Sequence, residues 1–250
     1  MSERLQGKRM LVIGGATGIG AASAVSCARE GASVVVGDIN ADAGEALVRQ
    51  IGDSASFLKV DVSQEAEVAA TVNAAADRLS GLDSLVYVAG VQRAGKVEEF
   101  PIELFDLTIA VNLRGMFLAA KHAVPHLRKA GSGSIVNISS LAGIKGGPGM
   151  TIYSASKGGV NAFTKALSAE LGPDQIRVNA ICPGWIDTPF NQPIIDFIGG
   201  LEARERLIKD VVPLGRQGVP EEIALAVVYF ASDESSYTTG HYMVIDGGLS

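Results

Sequence analysis

Tyr153 and Lys157 stand one turn apart in the helical run Thr151–Leu171. Residues at i and i+4 share a helix face, so a phenol and an ammonium meet there. A free phenol titrates near pH 10, too high for a base at neutral pH. A nearby ammonium favours the phenolate, and the pair then offers a proton donor and acceptor of adjusted strength. Such pairs also arise by chance, and the spacing alone does not define a site. Ser140 ends the run Asn137-Ile138-Ser139-Ser140, where a hydroxyl can donate to a reacting oxygen. Strand alternation turns Ser139 the other way. Asn112 lies inside a long helical pattern, where an Asn caps or faces solvent as readily as it does chemistry.

A second group of residues is suited to holding a phosphate. Gly14-Gly15-Ala16-Thr17-Gly18-Ile19-Gly20 follows a short apolar run and opens a helical one. Gly14 permits a tight turn, Gly18 lets backbone approach a pyrophosphate, and Gly20 lets the helix pack closely on a sheet. The free N–H groups of the helix start then face an anion. Asp38 closes the next apolar run, where a carboxylate accepts from ribose hydroxyls and repels a 2′-phosphate. Ile39 and Asn40 supply no cation for that phosphate, so NAD is favoured over NADP. Asp61-Val62 can flank the adenine, although the same pair reads equally as the approach to a helix.

These residues need a frame, and the remaining pattern provides one. Strands are expected at Arg9–Ile13, Ser33–Asp38, Ser56–Val60, Ser84–Val88, Ser134–Ser139, Arg177–Ile181 and Tyr242–Ile245. Helices are expected at Gly18–Glu30, Ala41–Ile51, Glu65–Leu79, Leu104–Lys129, Thr151–Leu171 and Glu221–Ala231. Continuous apolar strands such as Ser33–Asp38 imply burial on both faces. Strand–helix alternation implies right-handed parallel crossovers. The expected fold is α/β, a single doubly wound Rossmann domain over residues 1–250. It has a parallel sheet of about seven strands with helices on both faces, and ligands lie beyond the strands' carboxyl ends.

Composition narrows the function. Apolar residues make up 47% of the 250 and charged residues 19%, a balance that builds a core and opposes disorder. The net charge of -6 gives no basic footprint, so no nucleic-acid partner is expected. Ile223–Ala231, the longest strongly apolar stretch, is too short to span a bilayer. The polar start Met1–Met10 lacks the apolar core of an export signal, which makes a reducing cytoplasm the expected compartment. Cys27 and Cys182 suggest buried thiols rather than a disulfide framework. His122, His126 and His241 show no metal-ligand spacing, and no metal is expected.

In chain order, Gly14–Gly20, Asp61, Ala89-Gly90, Asn112, Ser140, Tyr153-x3-Lys157, Pro183-Gly184 and Asp246–Gly248 resemble the short-chain dehydrogenase/reductase family. The match runs from about Leu5 to Gly248. The resemblance implies an Asn112-Ser140-Tyr153-Lys157 tetrad moving a hydride between NAD and a secondary alcohol or ketone. Tyr153 would be the general acid/base and Ser140 would polarise the reacting oxygen. Lys157 would hold the nicotinamide ribose and lower the Tyr153 pKa, and Asn112 would keep a relay water. Gly14, Thr17, Gly18, Ile19, Gly20, Asp38, Ile39, Asp61, Val62, Ala89, Gly90, Pro183 and Gly184 would hold NAD beside Tyr153 and Lys157, with Ile186 and Thr188 on the carboxamide. A homo-oligomer, commonly a tetramer packed through the long helices, is also implied. Two departures from the family stand out. Ile13 stands where Thr is usual, and Tyr87-Val88 where an Asn pair is usual, which suggests hydrogen bonds exchanged for packing.

The small-molecule alcohol or ketone is expected to touch Val91–Ala94, Leu141–Met150, Trp185 and a lid over 187–212 with Gly199-Gly200 as its hinge. Arg93 and Lys145 are weaker candidates for an anionic group. An NADP-dependent 3-oxoacyl thioester reductase is the alternative activity. A non-catalytic nucleotide-binding protein on the same fold is a third.

Overall fold

The computed structural model describes residues 3–250; Met1 and Ser2 of the polar start lie outside them. Seven strands form one parallel sheet in the order β3-β2-β1-β4-β5-β6-β7. They are β1 (Arg9–Ile13), β2 (Ser33–Asp38), β3 (Ala55–Lys59), β4 (Ser84–Tyr87), β5 (Gly133–Ile138), β6 (Ile176–Pro183) and β7 (Tyr242–Ile245). The order reverses between β1 and β4, and there the carboxyl ends of neighbouring strands open a crevice.

Helices α1 (Gly18–Arg29), α2 (Ala41–Ile51) and α3 (Glu65–Leu79) follow the first three strands. After β4 come α4 (Ile102–Ile109) and α5 (Gly115–Ala130), and α6 (Thr151–Leu171) follows β5. Then come α7 (Gln192–Phe197), α8 (Leu201–Val211) and α9 (Pro220–Ala231). One core joins Val68, Met116 and Val160 of α3, α5 and α6 to one face of the sheet. The other joins Ala24, Leu47 and Val227 of α1, α2 and α9 to the opposite face. Cys27 and Cys182 are free and buried. In the expected lid, α7 and α8 are joined at Gly199-Gly200, both with positive φ.

The single helix expected over Leu104–Lys129 is interrupted. Residues Ala110–Arg114 form a π turn between α4 and α5, with Asn112 inside it. Such turns leave one extra backbone carbonyl to be satisfied elsewhere. Tyr87 meets that need: its hydroxyl donates to the Val111 carbonyl at 2.6 Å. Ile13 and Tyr87 are register partners in β1 and β4, and both are buried. The exchange is therefore partial. Ile13 contributes packing, while Tyr87 keeps a hydrogen bond and redirects it to the helical layer. The strand ends stay tied because the Val88 and Ala89 amides both donate to the Ile13 carbonyl, at 2.8 and 3.0 Å.

Gly115 makes room for this hydroxyl, since a Cβ there would lie 2.5 Å from the Tyr87 oxygen and 3.0 Å from the Val62 carbonyl. Gly115→Ala should therefore destabilise the protein by about 1–3 kcal/mol in urea unfolding. Adding Tyr87→Phe should recover part of that loss. Strict additivity of the two substitutions would show that the contact is not the cause.

Candidate active site

The carboxyl ends of β1, β2, β4, β5 and β6 surround one cavity of about 860 Å³. Gly14, Thr17, Gly18, Ile19, Asp38, Ile39, Asp61, Val62, Ala89, Gly90, Ser140, Tyr153, Lys157, Pro183, Gly184, Ile186 and Thr188 all line it. Of the catalytic and cofactor residues expected from the sequence, Gly20 and Asn112 stand behind the wall, and of the substrate loop Val91–Ala94, Val91 and Gln92 line the cavity while Arg93 and Ala94 do not. Gly20 acts by close packing, because a Cβ there would sit 2.0 Å from the Gly14 carbonyl. Asn112 is fully buried and works as a clamp. Its Oδ1 accepts from the Val91 amide at 2.7 Å, and its Nδ2 donates to the Val91 carbonyl and to Ser156 Oγ, each at 3.0 Å.

At one end of the cavity the frame fits a dinucleotide's phosphates. Gly14 and Gly18 have φ of 79° and 52°, conformations that side chains rarely adopt. Thr17 makes no side-chain cap to α1, and no acidic residue occupies the first turn. The first N–H groups of α1 are thus left for an anion, with the helix dipole behind them. Asp38 sits beside them, its Oδ2 accepting from the Ala16 amide at 2.9 Å and its Oδ1 from Asn40 at 3.0 Å. Asp61 stands where the cavity wall meets the approach to α3. It lines the cavity, and its Oδ1 accepts from the Ser63 amide at 2.9 Å as the chain enters α3.

At the other end Tyr153, Lys157 and Ser140 converge. Lys157 Nζ lies 5.9 Å from the Tyr153 ring centre and donates to the Ile138 carbonyl at 2.8 Å. Burial pushes the Tyr153 phenol up to about 12, and the Ser140 hydroxyl beside it pulls the other way. The expected lowering by Lys157 is not seen, because desolvation dominates and the ammonium bonds to backbone instead. The same burial pushes Lys157 down to about 8. Ser139 turns away as expected and donates to the Lys157 carbonyl at 3.0 Å. Ser156, not singled out from the sequence, links Asn112 to the Tyr153 carbonyl, to which it donates at 2.7 Å. Its place directly before Lys157 was the available signal. The loop after β5 rests on α6 at Gly143, where a Cβ would meet the Lys157 backbone at 2.6 Å.

The Lys157 shift has a sign that can be tested. The amine titrates near 10.5 when unfolded and about 8 in the fold. Below pH 8 its charge is buried at a penalty. Between pH 8 and 10.5 the unfolded chain holds the extra proton, so rising pH favours the fold. Lys157→Met should therefore raise stability at pH 7 by about 2 kcal/mol, after allowing for the lost bond to Ile138. The advantage should shrink towards pH 10 in thermal unfolding. An advantage independent of pH would mean that folding does not lower the pKa of the amine, which then keeps its proton equally in both states.

Residues 14–250 match the family described as Enoyl-(Acyl carrier protein) reductase. The chain is 42% identical to the uncharacterized oxidoreductase YxbG of Bacillus subtilis, covering 98% of this chain and 92% of that one. It is 40% identical to the 3-oxoacyl-[acyl-carrier-protein] reductase FabG of Thermotoga maritima, covering 98% and 99%. It is also 40% identical to the 3-alpha-(or 20-beta)-hydroxysteroid dehydrogenase of Mycobacterium tuberculosis, covering 99% and 91%. Full-length identity at this level, joined to the parallel sheet and its cavity, places the chain in the short-chain dehydrogenase/reductase family, oxidoreductases of alcohols and ketones that bind a nicotinamide dinucleotide.

Proposed function

We propose that the protein is an NAD-dependent dehydrogenase of a secondary alcohol or ketone, with Tyr153 as its acid/base. The convergence of Tyr153, Ser140 and Lys157 on the cavity that also holds the phosphate loop carries this proposal. A nicotinamide bound there supplies or accepts the hydride. Ser140 donates to the substrate oxygen and holds it beside Tyr153. Tyr153 gives its proton in reduction and takes one in oxidation. Its raised value keeps the phenol protonated at neutral pH. The positive charges gathered during oxidation favour the phenolate. Lys157, held by the Ile138 carbonyl, has further N–H groups for ribose hydroxyls. Asn112 fixes the floor below them and belongs to the proposed proton relay.

The Asp38 carboxylate at the adenosine end supports NAD over NADP. Exposed Phe105 and Phe117 on α4 and α5 support a homo-oligomer, a tetramer by resemblance, joined through those helices. Purified protein assayed against an alcohol and ketone panel with each cofactor, followed by nicotinamide absorbance, tests the proposal. Turnover with NAD and an alcohol is expected. Preference for NADPH and a 3-oxoacyl thioester would instead favour the activity named for the Thermotoga relative. Cofactor binding without turnover of any substrate would remove the catalytic role.

A further inference from the structure

Gln92 is buried, at 4% exposure, and lines the cavity on the loop after β4. Its amide oxygen has no hydrogen-bond partner among the described residues. A buried amide left unpaired is destabilising, and such groups persist where a ligand completes them. The backbone around Gln92 is tied on both sides. Val91 is held through its N–H and its carbonyl by Asn112, which is bonded through Ser156 to Tyr153. Arg93 Nη1 donates to the Gln92 carbonyl at 2.7 Å, and the Gly95 amide donates to Gly149 at 2.9 Å. The loop is therefore fixed relative to the catalytic tyrosine, while the Gln92 amide has no partner holding its oxygen.

The other polar side chains on this part of the wall are occupied. Lys145 Nζ donates to the Leu249 carbonyl at 2.8 Å, and Asn191 Nδ2 donates to the Ile186 carbonyl at 2.6 Å. Thr188 stands against Gly18 at the phosphate end. The rest is apolar, including Leu107, Met150, Trp185, Phe190, Ile194 and Val211.

We infer that Gln92 is a specificity residue that hydrogen-bonds a second oxygen of the substrate, which is then an apolar secondary alcohol carrying a further hydroxyl or carbonyl. An amide both donates and accepts, and a hydroxyl answers both. This rests on the proposed dehydrogenase function and adds the substrate class to it. A site built to bond a substrate hydroxyl discriminates strongly against the analogue lacking it.

The test compares cyclohexane-1,2-diol and cyclohexane-1,3-diol with cyclohexanol, using NAD and the wild-type and Gln92→Met enzymes. Wild type should favour one of the diols over cyclohexanol by at least about tenfold in kcat/KM, and Gln92→Met should reduce that ratio about tenfold. Because Met removes an unpaired amide, the variant should also melt at a higher temperature than wild type when free of ligands. A wild type without diol preference, a ratio unchanged by the substitution, or a lower melting temperature overturns the inference. An enzyme that oxidises cyclohexanol without diol preference keeps the proposed function and loses only this substrate class. Inactivity on every alcohol with either cofactor removes both.

Discussion

Tyr153→Phe is expected to lower kcat by about 10³-fold while NADH binding, read by fluorescence titration, changes less than about threefold. The substitution removes one oxygen and leaves the ring in place, 6.1 Å from Phe190 between centres. The lost atom is buried, with its proton held and its pKa raised, and it touches Ser140. Removing it should leave the fold as stable as before or slightly more so, since a desolvated hydroxyl goes with it. Phenylalanine cannot give or take a proton, so a rate within tenfold of wild type would transfer the acid/base role to another group. Ser140 and a water would then be the groups to examine.

Replacing Asp38 by Ala should lower the ratio of kcat/KM with NAD to that with NADP by roughly ten- to a hundredfold. A full charge pair at such distances is worth a few kcal/mol near a protein surface, and partial exposure of Asp38 reduces this to about 1–3 kcal/mol. Asp38 also accepts from the Ala16 and Asn40 amides, so the variant loosens the phosphate loop. Loosening alone would depress both cofactors together. A rise in kcat/KM with NADP itself separates lost repulsion from lost loop structure. If both constants fall in parallel, Asp38 serves the loop and does not select the cofactor.

Much of this site is legible in the sequence because its chemistry sits where strands end. Every expected strand appears in the structure, with ends moved by at most two residues, since a parallel strand buried on both faces is a continuous apolar run. Gly14, Gly18 and Asp38 follow from the turn between strand and helix. The π turn at Ala110–Arg114 is not legible, because one extra residue in a helix leaves the apolar pattern nearly unchanged. Tyr87 therefore reads only as an apolar substitute for Asn, and its bond to Val111 emerges from the fold. Asn112 likewise reads as a solvent-facing, capping or catalytic residue, whereas it is buried and grips Val91 on both sides. The direction of the Tyr153 shift is also hidden. Spacing shows that a lysine is near, but not that burial outweighs it and that the lysine bonds to Ile138 instead.

The strand order also bears on how the chain matures on the ribosome. The phosphate loop belongs to β1, α1 and β2, which are neighbours in both sequence and space. The far edge of β1 must wait for β4, and the catalytic end is complete only when β6 has docked on β5. Pairings between such distant segments form slowly. The strands that carry the phosphate loop thus leave the ribosome first, while the residues that close the cavity over it, Pro183 to Thr188, are among the later ones to be made.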